Sequence, residues 1–120
     1  MGGTQSTETF AGVSQEVLDE IVRRIVAVAQ PEKIILFGSA ARGKMGPHSD
    51  VDLLVIKGGQ VHRGHLTEEI YMNLRGARYP VDVIVVSPEE VEMYRHSFCL
   101  VIAPALAEGR VIYDAAALQG

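Results

Sequence analysis

Two carboxylates begin an apolar run in the segment Ser49-Asp50-Val51-Asp52-Leu53-Leu54-Val55-Ile56. The run from residue 51 onwards is typical of a strand that is buried inside a sheet. Residues two apart on a strand point to the same face, so we expect Asp50 and Asp52 to project together. Carboxylates that enter a buried strand are costly to desolvate and repel each other. A divalent cation removes both costs, and hard oxygen ligands of this kind suit Mg²⁺.

A third aspartate begins a second apolar run, Val81-Asp82-Val83-Ile84-Val85-Val86. If the two runs form neighbouring strands, Asp82 joins Asp50 and Asp52 in one cluster. The alternative is that Asp50 caps a turn while Asp52 and Asp82 lie in water at strand ends, which is the usual situation of a single aspartate. Three carboxylates at the beginning of two very apolar strands favour the metal site.

A glycine turn precedes these aspartates, with the sequence Gly38-Ser39-Ala40-Ala41-Arg42-Gly43. We interpret it as the turn from a strand over 34–37 into a short helix. A glycine there lets the backbone approach a phosphate, and the first amides of the helix can hold the anion together with the Ser39 hydroxyl. It is not the phosphate loop of the common NTPases, because no Gly-Lys-Ser/Thr follows. A Gly-Ser turn alone is more often a simple corner, so its significance rests on the nearby aspartates.

The rest of the chain alternates between helical and strand patterns. Apolar residues recur at helical spacing over 17–29, after an N-cap at Ser14 and before Pro31. The stretch Ser87-Pro88-Glu89-Glu90 has the pattern of a capping box at the start of another helix. The predicted strands are 34–37, 51–56, 81–86 and 110–113, and the other predicted helices are 63–77 and 97–108. This order predicts an α+β fold, a small mixed sheet flanked by helices that we expect on one of its faces.

The length of 120 residues predicts a single domain. We expect a flexible leader over 1–12, the domain over 13–115 and a tail over 116–120. Hydrophobic residues make up 48% of the chain and charged residues 22%, which is typical of a globular protein. The longest apolar run, 98–107, has ten residues, whereas a membrane-spanning helix needs about twenty. We therefore expect no membrane association.

The charge balance argues against a nucleic-acid partner. Eleven Lys and Arg residues against fifteen Asp and Glu residues give a net charge of −4, or −1 once the three candidate metal ligands are set aside. Binding to nucleic acid depends on neutralising several phosphates, and this chain contains no basic run. The amino terminus has no signal-peptide pattern, and a single cysteine fits a reducing compartment, so we expect a cytoplasmic protein.

Two histidines, His62 and His65, lie three residues apart near the start of the helix predicted over 63–77. No third cysteine or carboxylate stands near them at ligand spacing, so we assign them no metal site. The motifs that carry chemistry are therefore the glycine turn and the three aspartates.

Together these motifs resemble a known family. The turn over 38–43, then Ser49-Asp-Val-Asp-Leu53, then the lone Asp82 in its apolar strand is similar to the nucleotidyltransferase superfamily of DNA polymerase beta. More narrowly, the chain resembles the small minimal nucleotidyltransferases (MNT), and the stretch 105–113 is similar to the end of such proteins. The resemblance covers about residues 14–114. Every motif residue is in place, which implies an intact catalytic site.

The resemblance implies an enzyme that transfers a nucleoside monophosphate, with AMP from ATP as the family default, to a hydroxyl group. It implies that Asp50 and Asp52 bind two Mg²⁺ ions. In the same way, it implies that Asp82 completes the metal site and helps to activate the acceptor hydroxyl.

The resemblance also assigns the nucleotide-binding residues. It implies that Gly38 and Ser39 hold the triphosphate. Arg42 matches an arginine of many minimal members, where it either contacts phosphate or packs at the helix cap.

The acceptor that the resemblance implies is a tyrosine on a small helical partner of the HEPN type, a toxin that the nucleotidyltransferase counteracts as an antitoxin. Two alternatives stay open: a module that blocks its partner sterically without catalysis, and an enzyme that modifies a small molecule. Extension of nucleic acid is disfavoured by the nearly neutral surface. The sequence leaves open whether the protein self-associates or assembles only with a partner.

Overall fold

The computed structural model describes residues 9–10, 13–38, 51–76, 80–94 and 108–119. Its elements, in chain order, are β1 (Thr9–Phe10), β2 (Val13–Ser14), α1 (Gln15–Ala29), β3 (Lys33–Phe37), β4 (Val51–Ile56), α2 (Arg63–Asn73), β5 (Val81–Val86), α3 (Pro88–Tyr94), β6 (Arg110–Asp114) and α4 (Ala115–Gln119). The short strands β1 and β2 pair with each other in antiparallel fashion directly before α1. The other four strands form the central sheet.

The central sheet is mixed and has the strand order β5-β4-β3-β6. Strand β3 pairs antiparallel with both β4 and β6, whereas β4 and β5 run parallel. Parallel neighbours need a crossover connection, and α2 lies in the connection between these two strands. The four predicted strands and the α+β fold are confirmed.

The two faces of the sheet bury separate apolar clusters, because side chains alternate along each strand. The first face packs against α1 and α2, and its buried residues are Val17, Leu18, Ile21, Ile25, Ala29, Ile34, Leu36, Val51, Leu53, Val55, Leu66, Ile70, Leu74, Val83 and Val85. The second face buries Ile35, Leu54, Ile56 and Val86 against Val91 of α3. Helices therefore lie on both faces rather than on one, because β3, β4 and β5 carry apolar residues on both of their faces and must bury both sets of side chains.

The helical spacing of apolar residues predicts α1 correctly. Its buried residues are Val17, Leu18, Ile21, Ile25 and Ala29, as the helical spacing predicts. The helix ends at Ala29 because Gln30 takes a left-handed φ of 47° and Pro31 follows it. The chain then enters β3, which is one of the two central strands of the sheet.

Helix α2 ends at Asn73, four residues earlier than the predicted range 63–77. The turn after it contains Gly76, at a φ of 89°, which a continuing helix does not permit. Arg24 of α1 stabilises this ending, because its guanidinium donates to the carbonyl oxygens of Asn73 at 3.1 Å and Arg75 at 2.9 Å. In return, the side-chain amide of Asn73 donates from Nδ2 to the Arg24 carbonyl oxygen at 2.7 Å. A long-range contact thus sets the end of the helix.

The capping box predicted at the start of α3 is present. The Ser87 amide donates to Glu90 Oε1 at 2.9 Å, and the Glu90 amide donates to Ser87 Oγ at 3.1 Å. The Arg63 guanidinium donates to Glu90 Oε2, also at 2.9 Å. The hydrogen bond from the Ser87 amide is the largest of the effects that lower the pKa of the Glu90 carboxyl, and Arg63 adds to it while burial opposes it. Glu90 therefore links the beginnings of α2 and α3.

Several predicted features fall outside the described residues. They include the short helix expected after Gly38, the loop over 44–49 and most of the helix predicted over 97–108. Among the helices that are described, none is both long enough and apolar enough to cross a membrane.

Candidate active site

Asp52 and Asp82 lie side by side on neighbouring strands. In the parallel register of β4 and β5, Asp52 is the direct partner of Asp82, and paired strands lie about 4.8 Å apart. Each aspartate is the second residue of its strand, so the two occupy the same end of the sheet. By the alternation of side chains, both project from the second face, the one that packs against α3. The strands are neighbours, which is the condition that the sequence prediction required.

Gly38 brings the end of β3 against the same carboxylate. It follows Phe37, whose partner across the antiparallel pair is Asp52. Gly38 has a φ of 76°, and a Cβ at this position would overlap Oδ2 of Asp52 and lie 3.1 Å from its Cγ. Only glycine satisfies both the left-handed backbone and the close approach. The carboxylate of Asp52 is thus packed against backbone at the exit of β3.

The two aspartates differ in their exposure to solvent. Asp52 is partly buried, whereas Asp82 is exposed. The residues beside Asp52 in β4, Val51 and Leu53, are fully buried, so the strand that carries this carboxylate is anchored in the core. The site therefore has a rigid base and an open side through which a substrate can enter.

A tyrosine that the sequence patterns do not single out lies next to Asp82. The Tyr71 hydroxyl of α2 donates to Asp82 Oδ1 at 3.2 Å and accepts a hydrogen bond from the Val83 amide at 2.7 Å. Tyr71 stands outside the stripe of Leu66, Ile70 and Leu74 that marks the buried side of α2. No sequence signal therefore indicates its role, which depends on how α2 crosses the edge of β5.

The donor set fits a hard divalent cation. Two carboxylates in register on one face, beside a glycine that leaves room for the backbone, supply the oxygen ligands that Mg²⁺ prefers, and substrate phosphates commonly complete its shell. Within the described ranges, no group of three or more His, Cys, Asp or Glu residues is close enough to hold a metal ion. The third predicted carboxylate, Asp50, lies outside these ranges, as do Ser39 and Arg42. The structure thus brings together Gly38, Asp52 and Asp82.

The histidine pair has a structural role at the start of α2. The rings of His62 and His65 stack with their centroids 4.2 Å apart, and His62 Nδ1 accepts a hydrogen bond from the His65 amide at 3.2 Å. His62 is thereby the N-cap of α2. One ring nitrogen of the pair is thus engaged in capping the helix.

A protein-family model described as a nucleotidyltransferase domain matches residues 16–106. The chain belongs to the nucleotidyltransferase domain family. The match spans the glycine turn and all three aspartates, so the family that the motifs predict is confirmed and the protein is a nucleotidyltransferase. No curated protein sequence matches the chain significantly.

Solved structures that share the fold of this nucleotidyltransferase include two that show the likeness well. One is a candidate nucleotidyltransferase from Sulfolobus solfataricus, with a TM-score of 0.58 and 21% identity over 84% of this chain and 80% of the other. The second is a toxin-antitoxin structure with AMP-PNP, with a TM-score of 0.50 and 20% identity over 80% of this chain and 73% of the other. At these identities the likeness concerns the fold, which agrees with the mixed sheet described above.

Proposed function

We propose that this protein transfers a nucleoside monophosphate, AMP from ATP, to a hydroxyl group in a reaction that depends on Mg²⁺. The observation that carries the proposal is the direct pairing of Asp52 with Asp82 beside Gly38, in a chain of the nucleotidyltransferase domain family. Carboxylates at this spacing on a rigid strand pair suit a reaction in which the protein mainly positions its substrates and neutralises their charge.

Asp50, Asp52 and Asp82 would hold the metal; Asp50 is included because it stands two residues before Asp52 in the sequence. Held by these carboxylates, Mg²⁺ would neutralise charge on the triphosphate and would lower the pKa of the attacking hydroxyl. Asp82 would orient the acceptor, because its carboxylate is more exposed than that of Asp52.

The phosphates would bind where β3 ends. Gly38 gives them access to the backbone, and Ser39 and Arg42 supply a hydroxyl and a positive charge. The new bond joins the acceptor oxygen to the α-phosphorus, the α–β anhydride bond breaks, pyrophosphate leaves, and the proton of the acceptor hydroxyl is released to water.

The acceptor that we propose is a tyrosine on a small helical HEPN-type toxin, so that the transfer makes this protein an antitoxin. The support is the fold shared with a toxin-antitoxin structure that contains AMP-PNP. A partner that presents its own hydroxyl to the open side of Asp82 needs no acceptor-binding module in this chain. Co-purification of the protein with the product of a neighbouring gene tests this acceptor, followed by intact-mass measurement of that product before and after ATP addition.

Label transfer tests the reaction itself. The protein is incubated with Mg²⁺, ATP labelled at the α-phosphate and the candidate partner, alongside the variants Asp52→Asn and Asp82→Asn. We expect each variant to lose at least about a hundredfold in rate, because each removes a charged metal ligand. Asp19→Asn is the matched control, since Asp19 is an exposed residue of α1 that pairs with Gln15.

Three outcomes decide between the proposed activities. Label on the partner protein only with both aspartates intact supports the proposal. Wild-type rates in Asp52→Asn contradict the mechanism. Tight binding of the partner without any label on protein or small molecule contradicts transfer and leaves a module that acts by blocking its partner.

A further inference from the structure

We propose that Tyr71 is a positioning residue that fixes the carboxylate of Asp82 in the orientation needed for metal and acceptor binding. The inference rests on the proposed nucleotidyl transfer for its kinetic readout, but its structural readouts are independent of that activity. Its basis is the set of hydrogen bonds that the Tyr71 hydroxyl makes at the edge of β5.

Three polar atoms of β5 lie within hydrogen-bond distance of the Tyr71 hydroxyl. Its oxygen accepts from the Val83 amide at 2.7 Å, and its hydrogen points to Asp82 Oδ1 at 3.2 Å or to the Val83 carbonyl oxygen at 3.5 Å. The carboxylate is the nearer acceptor and carries charge, and hydrogen bonds to a charged acceptor are the stronger ones. The hydroxyl therefore bridges the backbone of β5 to the side chain of Asp82.

The Val83 amide points away from β4, so it needs a hydrogen-bond acceptor from a side chain at the edge of the sheet. The carbonyl oxygens of Pro80 and Val86 accept hydrogen bonds from residues 51 and 57 at the two ends of β4, so the even-numbered residues of β5 face β4. The odd-numbered Val83 then directs its amide to the outer edge. Among the strands that the structure describes, β5 is at the end of the sheet on this side. An edge amide without a strand partner needs another acceptor, and the Tyr71 oxygen is one.

The hydrogen bond from the Val83 amide fixes the position of the Tyr71 hydroxyl oxygen. Because the oxygen of Tyr71 is held by the Val83 amide, its position relative to β5 is fixed, and its single hydrogen remains for a neighbouring acceptor. The bond to Oδ1 restricts the rotation of the Asp82 side chain and thereby fixes the direction of Oδ2. Asp82 is exposed, so without this restraint its carboxylate samples several rotamers in water.

The neighbouring carboxylate of Asp52 is less exposed than that of Asp82. Asp52 is partly buried and packs against Gly38, which restricts its side chain sterically. Asp82 is exposed, so we expect the hydrogen bond from Tyr71 to restrict its carboxylate.

The test compares Tyr71→Phe, which removes only the hydroxyl, with Tyr113→Phe on β6 as the matched control. Mn²⁺ binding is measured by electron paramagnetic resonance, and hydrogen exchange of the Val83 amide is measured by NMR. We expect Tyr71→Phe to weaken Mn²⁺ binding about tenfold, as for other groups that orient metal ligands, and to accelerate exchange at Val83. Tyr113→Phe leaves both unchanged.

The kinetic part separates positioning from folding. With the label-transfer reaction, we expect Tyr71→Phe to lower kcat about tenfold to a hundredfold while KM for ATP changes less than about threefold. Circular dichroism melting shows whether the folded fraction accounts for the loss. If the wild type transfers no label, the proposed function fails, but the Mn²⁺ and exchange measurements still test Tyr71.

Three results would overturn the inference. The first is Mn²⁺ affinity at the wild-type level in Tyr71→Phe. The second is a loss of activity that follows the unfolded fraction alone. The third is nucleotide label on Tyr71 itself, which would make the hydroxyl an acceptor rather than a positioning group.

Discussion

Gly38 lies against Asp52 so closely that a single added methyl group would overlap the carboxylate oxygen Oδ2. The glycine follows β3 and the aspartate is the second residue of β4, so this contact joins the exit of one strand to the entrance of the next in the sheet. It links the candidate phosphate-binding turn physically to the candidate metal ligand. Phosphate and metal sites in adjoining positions are what a metal-bound triphosphate requires.

Substitution of Gly38 by alanine is expected to abolish transfer and to lower stability. The left-handed φ costs an alanine about 1–2 kcal/mol, and the new methyl group displaces the Asp52 carboxylate. Gly76→Ala is the control, because Gly76 has a similar φ of 89° but a methyl group added there would meet no heavy atom of the described residues within 4 Å. Urea unfolding and label transfer should show that both variants lose stability and that only Gly38→Ala loses activity. Equal transfer activities in the two variants would show that the close contact between Gly38 and Asp52 is not needed for transfer.

Arg24→Ala is expected to destabilise the protein by about 1–2 kcal/mol. The substitution removes the two hydrogen bonds to the carbonyl oxygens of Asn73 and Arg75 and the ion pair with Glu20. Because Glu20 and Arg24 are partly exposed, we ascribe most of the loss to the carbonyl groups. Arg23→Ala, an exposed neighbour on the same helix, is the control in urea unfolding. If both variants unfold at the same urea concentration, Arg24 does not stabilise the end of α2.

The capping box predicts a dependence of stability on acidity. The Ser87 amide and Arg63 lower the pKa of Glu90 in the folded protein, so its contribution is present above the ordinary carboxyl value of 4.5 and is lost as the pH falls through the lowered value. Glu90→Gln should therefore lose less stability than the wild type between pH 6 and pH 3.

Glu89→Gln provides the control for that pH dependence, because Glu89 is exposed and belongs to the same first turn of α3. Unfolding free energies from urea titrations at several pH values make the comparison. A Glu90→Gln variant whose acid sensitivity equals that of the wild type would show that the box does not stabilise the folded state through its charge.

Local sequence patterns are sufficient to predict much of the fold. The apolar runs of β3, β4 and β5 and the box at Ser87 are each encoded within a few neighbouring residues, and all appear where the patterns place them. The alignment of Asp52 with Asp82 is predictable because each aspartate follows the first valine of its strand. Because both aspartates are the second residue of their strands, they become direct partners when β4 and β5 pair in parallel from their first residues.

Features that depend on distant residues could not be predicted in this way. The end of α2 is set by Arg24, forty-nine residues before Asn73 in the chain. The role of Tyr71 arises only where α2 passes the edge of β5. The cover of the second face by α3 likewise depends on the packing of Val91, which no periodic pattern in a seven-residue helix reveals.

The central claim is that Asp52 and Asp82 both contact a metal that also binds the triphosphate. Anomalous X-ray scattering from Mn²⁺, in crystals grown with a non-hydrolysable ATP analogue, tests it most directly. We predict a Mn²⁺ peak within coordination distance of an oxygen of Asp52, an oxygen of Asp82 and a phosphate oxygen of the analogue, with the triphosphate next to Gly38. An analogue bound elsewhere, or Mn²⁺ that contacts neither aspartate, would contradict the account.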